Sequence, residues 1–319
     1  MSDYALLYRA DFYSFVDFAF RELHGGEMMN DNWHIHLMSN LLRDAWQHPG
    51  EALKRLIVNL PPGYFKTHVC SIAFPAWILG RDPRKSVLII SETPELALDL
   101  QARCVELMSS SRYRAIFPDT KFKRLGREVE LTHGGGIRHA GVGYALPHRK
   151  SDLVIIDNPQ SLHSLVRFKP EPFLEIGRTL KNSKTGLIVL ATRRLAENDL
   201  SHFLAHLGNW QTFSFPAIAL QARELKFPPD GLYKQKLGEP LHECLEDWDE
   251  LEKRLVELGG DAFSYQYLQG QYVPQKYGHR VGTSEHGDPV TFVGSFDPTT
   301  VAFEELSKLK CEYLANPTQ

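Results

Sequence analysis

The stretch Arg55-Leu56-Ile57-Val58-Asn59-Leu60-Pro61-Pro62-Gly63-Tyr64-Phe65-Lys66-Thr67 decides the fold. Leu56 to Leu60 reads as a short buried strand. Pro61-Pro62-Gly63 ends it, and an apolar helix is expected from about Val69 to Leu79. Strand, loop, Lys-Thr and helix form the order that holds a nucleoside triphosphate. Backbone N–H groups and the helix N-terminus cradle phosphate, the lysine reaches the β- and γ-phosphates, and the hydroxyl holds magnesium. The pattern G-x-x-x-x-G-K-[ST] asks for glycine at positions 60 and 65, where this chain has Leu60 and Phe65. A Lys-Thr pair after a strand is a weak signal alone.

A second element strengthens it. Asp152-Leu153-Val154-Ile155-Ile156-Asp157 is an apolar strand that ends in an acid, the form that completes magnesium coordination in such sites. Between and beyond these two lie further buried strands at Val87–Ile90, Leu187–Ala191 and Gln211–Phe215. Helices are expected at Pro94–Ser109, Glu171–Lys181 and Glu197–Leu207. Glu128 to Val142 alternates around Gly134-Gly135-Gly136 and reads as a β-hairpin. Buried strands that alternate with helices predict an α/β fold, a mostly parallel sheet with helices on both faces. Ligands bind such sheets at the C-terminal strand ends. Here those ends carry Lys66 and Thr67, Ser91 and Glu92, and Asp157.

Outside this unit, residues 3–24 and 33–48 read as two helices, and residues 247–270 as two more. Pro228-Pro229-Asp230-Gly231 marks a break, and Pro274 to Pro289 reads as a linker. The 319 residues are 43% apolar and 24% charged, enough to bury a core. The net charge of −3 excludes a tail-driven polycation but not a local basic groove. From Arg112 to Arg127 six basic residues (Arg112, Arg114, Lys121, Lys123, Arg124 and Arg127) stand against the single acid Asp119. Such a patch can neutralise phosphates without reading sequence. Four scattered cysteines argue against a disulfide framework, and the histidines lack zinc-site spacing. Neither a signal peptide nor a membrane span is recognisable, so a soluble intracellular protein is expected.

The order of these segments resembles the ATPase half of the large terminase subunit of tailed bacteriophages, the motor that packages DNA. Asn32-Trp33-His34-Ile35 resembles the family's base-proximal segment. Arg55 to Pro62 with Lys66-Thr67 resembles its Walker A, and Asp152 to Pro159 its Walker B. Phe74-Pro75-Ala76-Trp77, Leu79 to Pro83, Tyr113-Arg114, Phe117-Pro118, Arg194-Leu195, Glu197 to Leu200, Pro216 to Ala219 and Phe263 to Pro274 follow in the family's order. The resemblance covers roughly residues 30–275.

It implies a RecA-like P-loop sheet of the additional-strand class. It implies ATP and Mg²⁺ on Pro62, Gly63, Tyr64, Phe65, Lys66 and Thr67, with Thr67 and Asp157 on the metal and Trp33 and His34 near the base. It also implies double-stranded DNA, a portal protein, a procapsid and a small terminase subunit as partners. The chain would act as a homo-oligomeric ring, in the host cytoplasm and transiently at the portal. The corresponding division is an N-terminal helical lid (1–50), the ATPase core (51–222), a helical linker subdomain (223–275) and a tail (276–319).

Four departures stand out. Gly63 occupies the place of the family's Walker A arginine. Asn158 replaces the acid that follows the Walker B aspartate, and an amide cannot accept a proton from water. Pro147-His148-Arg149-Lys150 replaces a glycine-rich segment. Thr192 and Arg193 do not align clearly with the coupling segment. Glu92 is the candidate replacement base, on a strand expected beside the P-loop strand. Asp297 in Val293 to Asp297 resembles only the start of a nuclease, so no nuclease activity is expected here; either the nuclease is a separate chain, or the gene is truncated or repurposed. The alternative reading is a non-hydrolysing pseudo-ATPase with a regulatory or structural role, or a truncated prophage remnant.

Overall fold

The computed structural model describes residues 3–48, 54–142, 150–165, 169–182, 185–227, 231–271, 277–283, 289–295 and 298–315. The chain opens with α1 (Asp3–Ala10), α2 (Phe12–Leu23) and α3 (Trp33–Gln47). Then come β1 (Arg55–Asn59), a π-helical stretch (His68–Ala73) that leads into α4 (Phe74–Arg81), β2 (Ser86–Ser91), α5 (Pro94–Ser109) and α6 (Ser111–Ile116). Three short strands follow, β3 (Phe122–Arg124), β4 (Val129–Leu131) and β5 (Gly136–Gly141). The middle of the chain supplies β6 (Leu153–Asp157), α7 (Leu162–Leu165), α8 (Glu171–Leu174), β7 (Leu187–Thr192), α9 (Leu200–His206) and β8 (Gln211–Ser214). Beyond the sheet lie β9 (Arg223–Phe227), β10 (Gly231–Gln235), α10 (Trp248–Leu258), α11 (Gly260–Gln266), β11 (Tyr277–Thr283), β12 (Pro289–Ser295) and α12 (Pro298–Ala315).

Eight strands form one sheet in the order β3-β4-β5-β2-β6-β7-β1-β8. From β5 to β8 all neighbours are parallel; only the β3-β4-β5 edge is antiparallel. The expected α/β sheet is therefore the observed one. β7 is inserted between β1 and β6, which makes it the additional strand.

Side-chain alternation explains the two covered faces. Leu56, Val58, Val87, Ile89, Leu153, Ile155 and Val189 join one core with α2, α3, α4 and α5. Ile57, Leu88, Ile90, Val154, Ile156, Ile188 and Leu190 join the other with Phe173, Leu200, Leu204 and Trp210. Between β4 and β5, Gly135 is required by space: a Cβ there would lie 2.1 Å from the Lys85 carbonyl.

Several boundaries differ from expectation, each for a local reason. Residues 3–24 form two helices, because the Asp11 carboxylate accepts the Ser14 N–H at 2.7 Å and starts α2. The single helix expected at Glu171–Lys181 is instead α8 and a short 3₁₀ turn (Ile176–Thr179). Leu180 then turns extended and bridges Ser151, and the Ser151 N–H donates to the Thr179 carbonyl at 2.7 Å. Part of the expected linker, residues 277–283, is β11, paired antiparallel with β12. Val281, Thr283, Val290, Thr291 and Val293 favour extended backbone, a signal masked by the glycine, histidine and proline around them. Pro228 to Asp230, Pro147 to Arg149 and Asp297 lie outside the described residues. α12 packs on α10 and α11; Ala302 and Leu306 enter the core and Lys310 bridges Asp249 and Glu252.

Candidate active site

The loop between β1 and the next helix is anchored at its start, where the Leu60 N–H donates to the Thr192 carbonyl at 3.1 Å. Its exposed tip is Gly63, at φ +86°, a conformation that glycine enters freely. Phe65 holds the turn before Lys66 at φ +60°, in the left-handed region. Its ring meets Phe20 edge-on at 5.6 Å and lies 6.3 Å from His242. Packing thus offsets a backbone cost of about 1–2 kcal/mol. Tyr64, beside it, is buried; burial and the neighbouring Glu246 carboxylate push its phenol above the ordinary range. Lys66 is 6% exposed. Burial lowers its ammonium pKa, Asp157 opposes that shift, and Arg193 adds to it.

Asp157 ends β6 and is the most fully bonded group of the site. Thr67 Oγ1 donates to Oδ1 at 3.2 Å, and Ser71 Oγ donates to Oδ2 at 2.5 Å. Asn158 Nδ2 also donates to Oδ1, at 2.8 Å. Ser91 Oγ donates to the Asp157 carbonyl at 2.8 Å, tying β2 to β6. The fold thus brings Lys66, Thr67 and Asp157 to one sheet edge, across a sequence separation of 90 residues between Thr67 and Asp157.

Asn158 has φ +40°, tolerated because a short polar side chain bonds locally. Its N–H donates to the Ala191 carbonyl at 2.9 Å, and its amide is turned onto Asp157.

Glu92 requires a correction. β2 does not lie beside the P-loop strand; β7 and β6 separate it from β1. β2 pairs with β6 instead, with Ile90 opposite Ile156, so Glu92 follows Ser91 next to the Asp157–Asn158 end of β6. The additional strand is the reason, since it occupies the place next to β1. The Glu92 carboxylate accepts a hydrogen bond from Ser161 Oγ at 2.5 Å.

Trp33 and His34 open α3 behind the Asn32 cap. Trp33 stacks on Tyr233 at 5.1 Å, and His34 is fully buried, 6.1 Å from Tyr64 and 5.6 Å from His242. Burial and His242 push the His34 pKa down to about 3. His34 therefore reaches the loop through Tyr64. Pro62 is half-buried next to Gly63.

The six basic residues divide into two sets. Arg112 pairs with Glu22, Arg124 with Glu128 and Glu130, and Lys123 with Glu130. These acids come from outside the basic run, so the patch is less cationic than its sequence count. Arg114, Lys121 and Arg127 are exposed and have no ion pair among the described residues.

Sequence reading gave no role to Ser71 or Ser161. Ser71 lies four residues after Thr67, a spacing that could have revealed it. Ser161 is on the far side of β6 from Glu92 in sequence and gave no signal. Among the described residues no three histidine, cysteine, aspartate or glutamate side chains converge as a metal cage. Thr67 and Asp157 fit magnesium differently, as one hydroxyl and one carboxylate whose remaining ligands would be phosphate and water. No helix of the described residues is long and apolar enough to cross a membrane.

No family model matches the chain, and no curated protein matches it by sequence. Solved structures do match. The large terminase of bacteriophage HK97 is 10% identical, over 91% of this chain and 68% of that one, with a TM-score of 0.48. The large terminase of a thermophilic bacteriophage, in complex with ADP, is 9% identical over 74% of this chain and 53% of that one, with a TM-score of 0.49. The ATPase domain of the Thermus phage P74-26 large terminase is 18% identical over 78% and 95%, with a TM-score of 0.43. All three are large terminases. The motif order resembles the same family.

Proposed function

We propose that this chain is the ATP-hydrolysing unit of a DNA-packaging motor of the large-terminase kind. The observation that carries the reading is the meeting of Lys66, Thr67 and Asp157 at one edge of an additional-strand sheet. Lys66 contacts the β- and γ-phosphates of ATP, and the loop 62–67 surrounds them. Thr67 and Asp157 hold Mg²⁺, which when bound neutralises charge on the transferred phosphoryl group. Glu92 takes the proton of the attacking water, which Asn158 cannot do. The products are ADP and phosphate. Exposed Arg114, Lys121 and Arg127 meet the backbone of double-stranded DNA. The motif resemblance assigns the rest: a ring of copies on a portal and procapsid, with a small terminase subunit, in the host cytoplasm.

A second reading has its own support. Asn158 is turned onto Asp157, and Ser161 holds Glu92. A chain fixed in that arrangement binds nucleotide without hydrolysing it and serves packaging as a regulatory or structural subunit.

ATP turnover with Mg²⁺, with and without double-stranded DNA, tests the choice against Lys66→Ala. Turnover that DNA stimulates and Lys66→Ala abolishes is expected. Nucleotide binding without turnover, with DNA and portal present, selects the second reading. Absence of binding in folded protein overturns both.

A further inference from the structure

β9 and β10 pair antiparallel, with Arg223 directly opposite Gln235. Side chains opposite each other share one face of such a ribbon. Here they touch: Arg223 Nε donates to Gln235 Oε1 at 2.7 Å. The last turns of α12 lie against this end of the ribbon. At Gly238, three residues past Gln235, a Cβ would come within 2.4 Å of the Leu309 carbonyl. Hairpin and helix enclose an open cleft of about 670 Å³, whose lining includes Arg223, Glu224, Lys234, Gln235, Glu312 and Tyr313.

Two groups in the cleft are unmatched. Gln235 is 2% exposed, and its Nε2 has no hydrogen-bond partner among the described residues. Its amide orientation is set, because the carbonyl end already faces Arg223. A buried N–H without an acceptor is costly. Arg223 is half-buried, and among the described residues its guanidinium bonds only to the neutral Gln235. Burial lowers its pKa, and no neighbouring carboxylate raises it again.

The charges around this pair do not supply the missing anion. Glu224 is exposed and pairs with Lys234 at 3.5 Å. Glu239 accepts from the Lys236 N–H and the Tyr233 hydroxyl. Glu312 stands exposed on the rim, on α12.

We infer that this cleft binds a carboxylate, held by the guanidinium of Arg223 and the side-chain amide of Gln235. The guanidinium still offers its two Nη groups in one plane, which match the two oxygens of a carboxylate, and Gln235 Nε2 adds a donor beside them. One unpaired positive charge balances one negative charge. A phosphate carries more negative charge than Arg223 balances, and Glu224 and Glu312 repel it. The carboxylate comes from a small organic acid or from an acidic side chain of another protein; the chemistry is the same. The site lies beyond the eight-stranded sheet and does not rest on the nucleotide reading.

The test follows the Gln235 side-chain amide by heteronuclear NMR in the full chain. Three probes are titrated: propionate, a capped tripeptide whose one acidic group is a glutamate side chain, and inorganic phosphate. Propionate is expected to shift the Gln235 resonance saturably, and phosphate to need at least about tenfold more. Arg223→Gln keeps an N–H donor toward Gln235 and removes the charge. It is expected to weaken propionate about 10–100-fold, the range of a charged hydrogen-bond pair. Saturation by the tripeptide as well identifies a protein side chain as the occupant, and saturation by propionate alone identifies a free acid. Absence of a saturable shift with both carboxylates overturns the site. So does phosphate binding as tightly as propionate, or equal propionate affinity in Arg223→Gln. Should that variant fail to fold, the order of the three probes on the unaltered chain decides.

Discussion

Ser71 Oγ donates to Asp157 Oδ2 at 2.5 Å, one wide helical turn after Thr67 engages Oδ1. The turn is π-helical: the Phe74 N–H reaches back five residues to the Val69 carbonyl. Both hydroxyls thereby face one carboxylate, and the helix after the loop is fastened to β6. Ser71→Ala leaves a buried carboxylate oxygen without its donor, a cost of about 1–3 kcal/mol. Denaturant unfolding is expected to show that loss, and the Mg²⁺ concentration for half-maximal turnover is expected to rise. An unchanged unfolding midpoint contradicts the contact.

Phe65 sets strain against packing. Phe65→Ala removes the ring from Phe20 and His242 but keeps a side chain at φ +60°. Phe65→Gly removes the ring and the strain together. The glycine variant is expected to be more stable than the alanine variant by about 1–2 kcal/mol. Equal unfolding free energies of the two variants refute a left-handed Phe65.

On the proposed reading Glu92, whose carboxylate accepts from Ser161 Oγ, is the base. Glu92→Gln is expected to lower turnover by about 10²–10⁴-fold with nucleotide affinity unchanged. Turnover like that of the unaltered chain shows that another group takes the proton.

His34 and His68 give a signed pH dependence. Burial, with His242, holds the His34 pKa down to about 3, and burial holds His68 down to about 4. Unfolding releases both toward about 6.5. Below that value the unfolded chain binds more protons than the folded one, so stability falls as pH falls. The contribution is complete above about 6.5, and it is lost progressively toward about 4 for His68 and about 3 for His34. Each histidine adds a slope of up to about 1.4 kcal/mol per pH unit. Unfolding free energies between about pH 6.5 and about pH 5 are expected to fall less steeply in His34→Gln. Identical slopes refute a buried neutral His34.

The basic face is read by salt. Replacing Arg114, Lys121 and Arg127 with alanine is expected to reduce the slope of log affinity for duplex DNA against log salt by about 2–3, at about 0.9 per phosphate contact. Replacing the ion-paired Arg112, Lys123 and Arg124 is expected to change it less. Equal slopes in both variants show that the unpaired set is not the DNA face.

The sequence by itself determined the sheet and most of its strands. Leu56 to Leu60, Val87 to Ile90, Leu153 to Ile156 and Leu187 to Ala191 are apolar runs of strand length, which only a doubly covered parallel sheet buries well. Lys66, Thr67 and Asp157 were legible because each follows the end of such a run. What surrounds them was decided by tertiary structure. Strand order is a pairing of distant segments: β7 took the place beside β1, so Glu92 came to stand next to Asp157's strand. Ser161 on Glu92 and Ser71 on Asp157 are contacts between elements. Local periodicity carries the burial of a residue. It does not carry the identity of its partner, because the partner is chosen when the sheet closes.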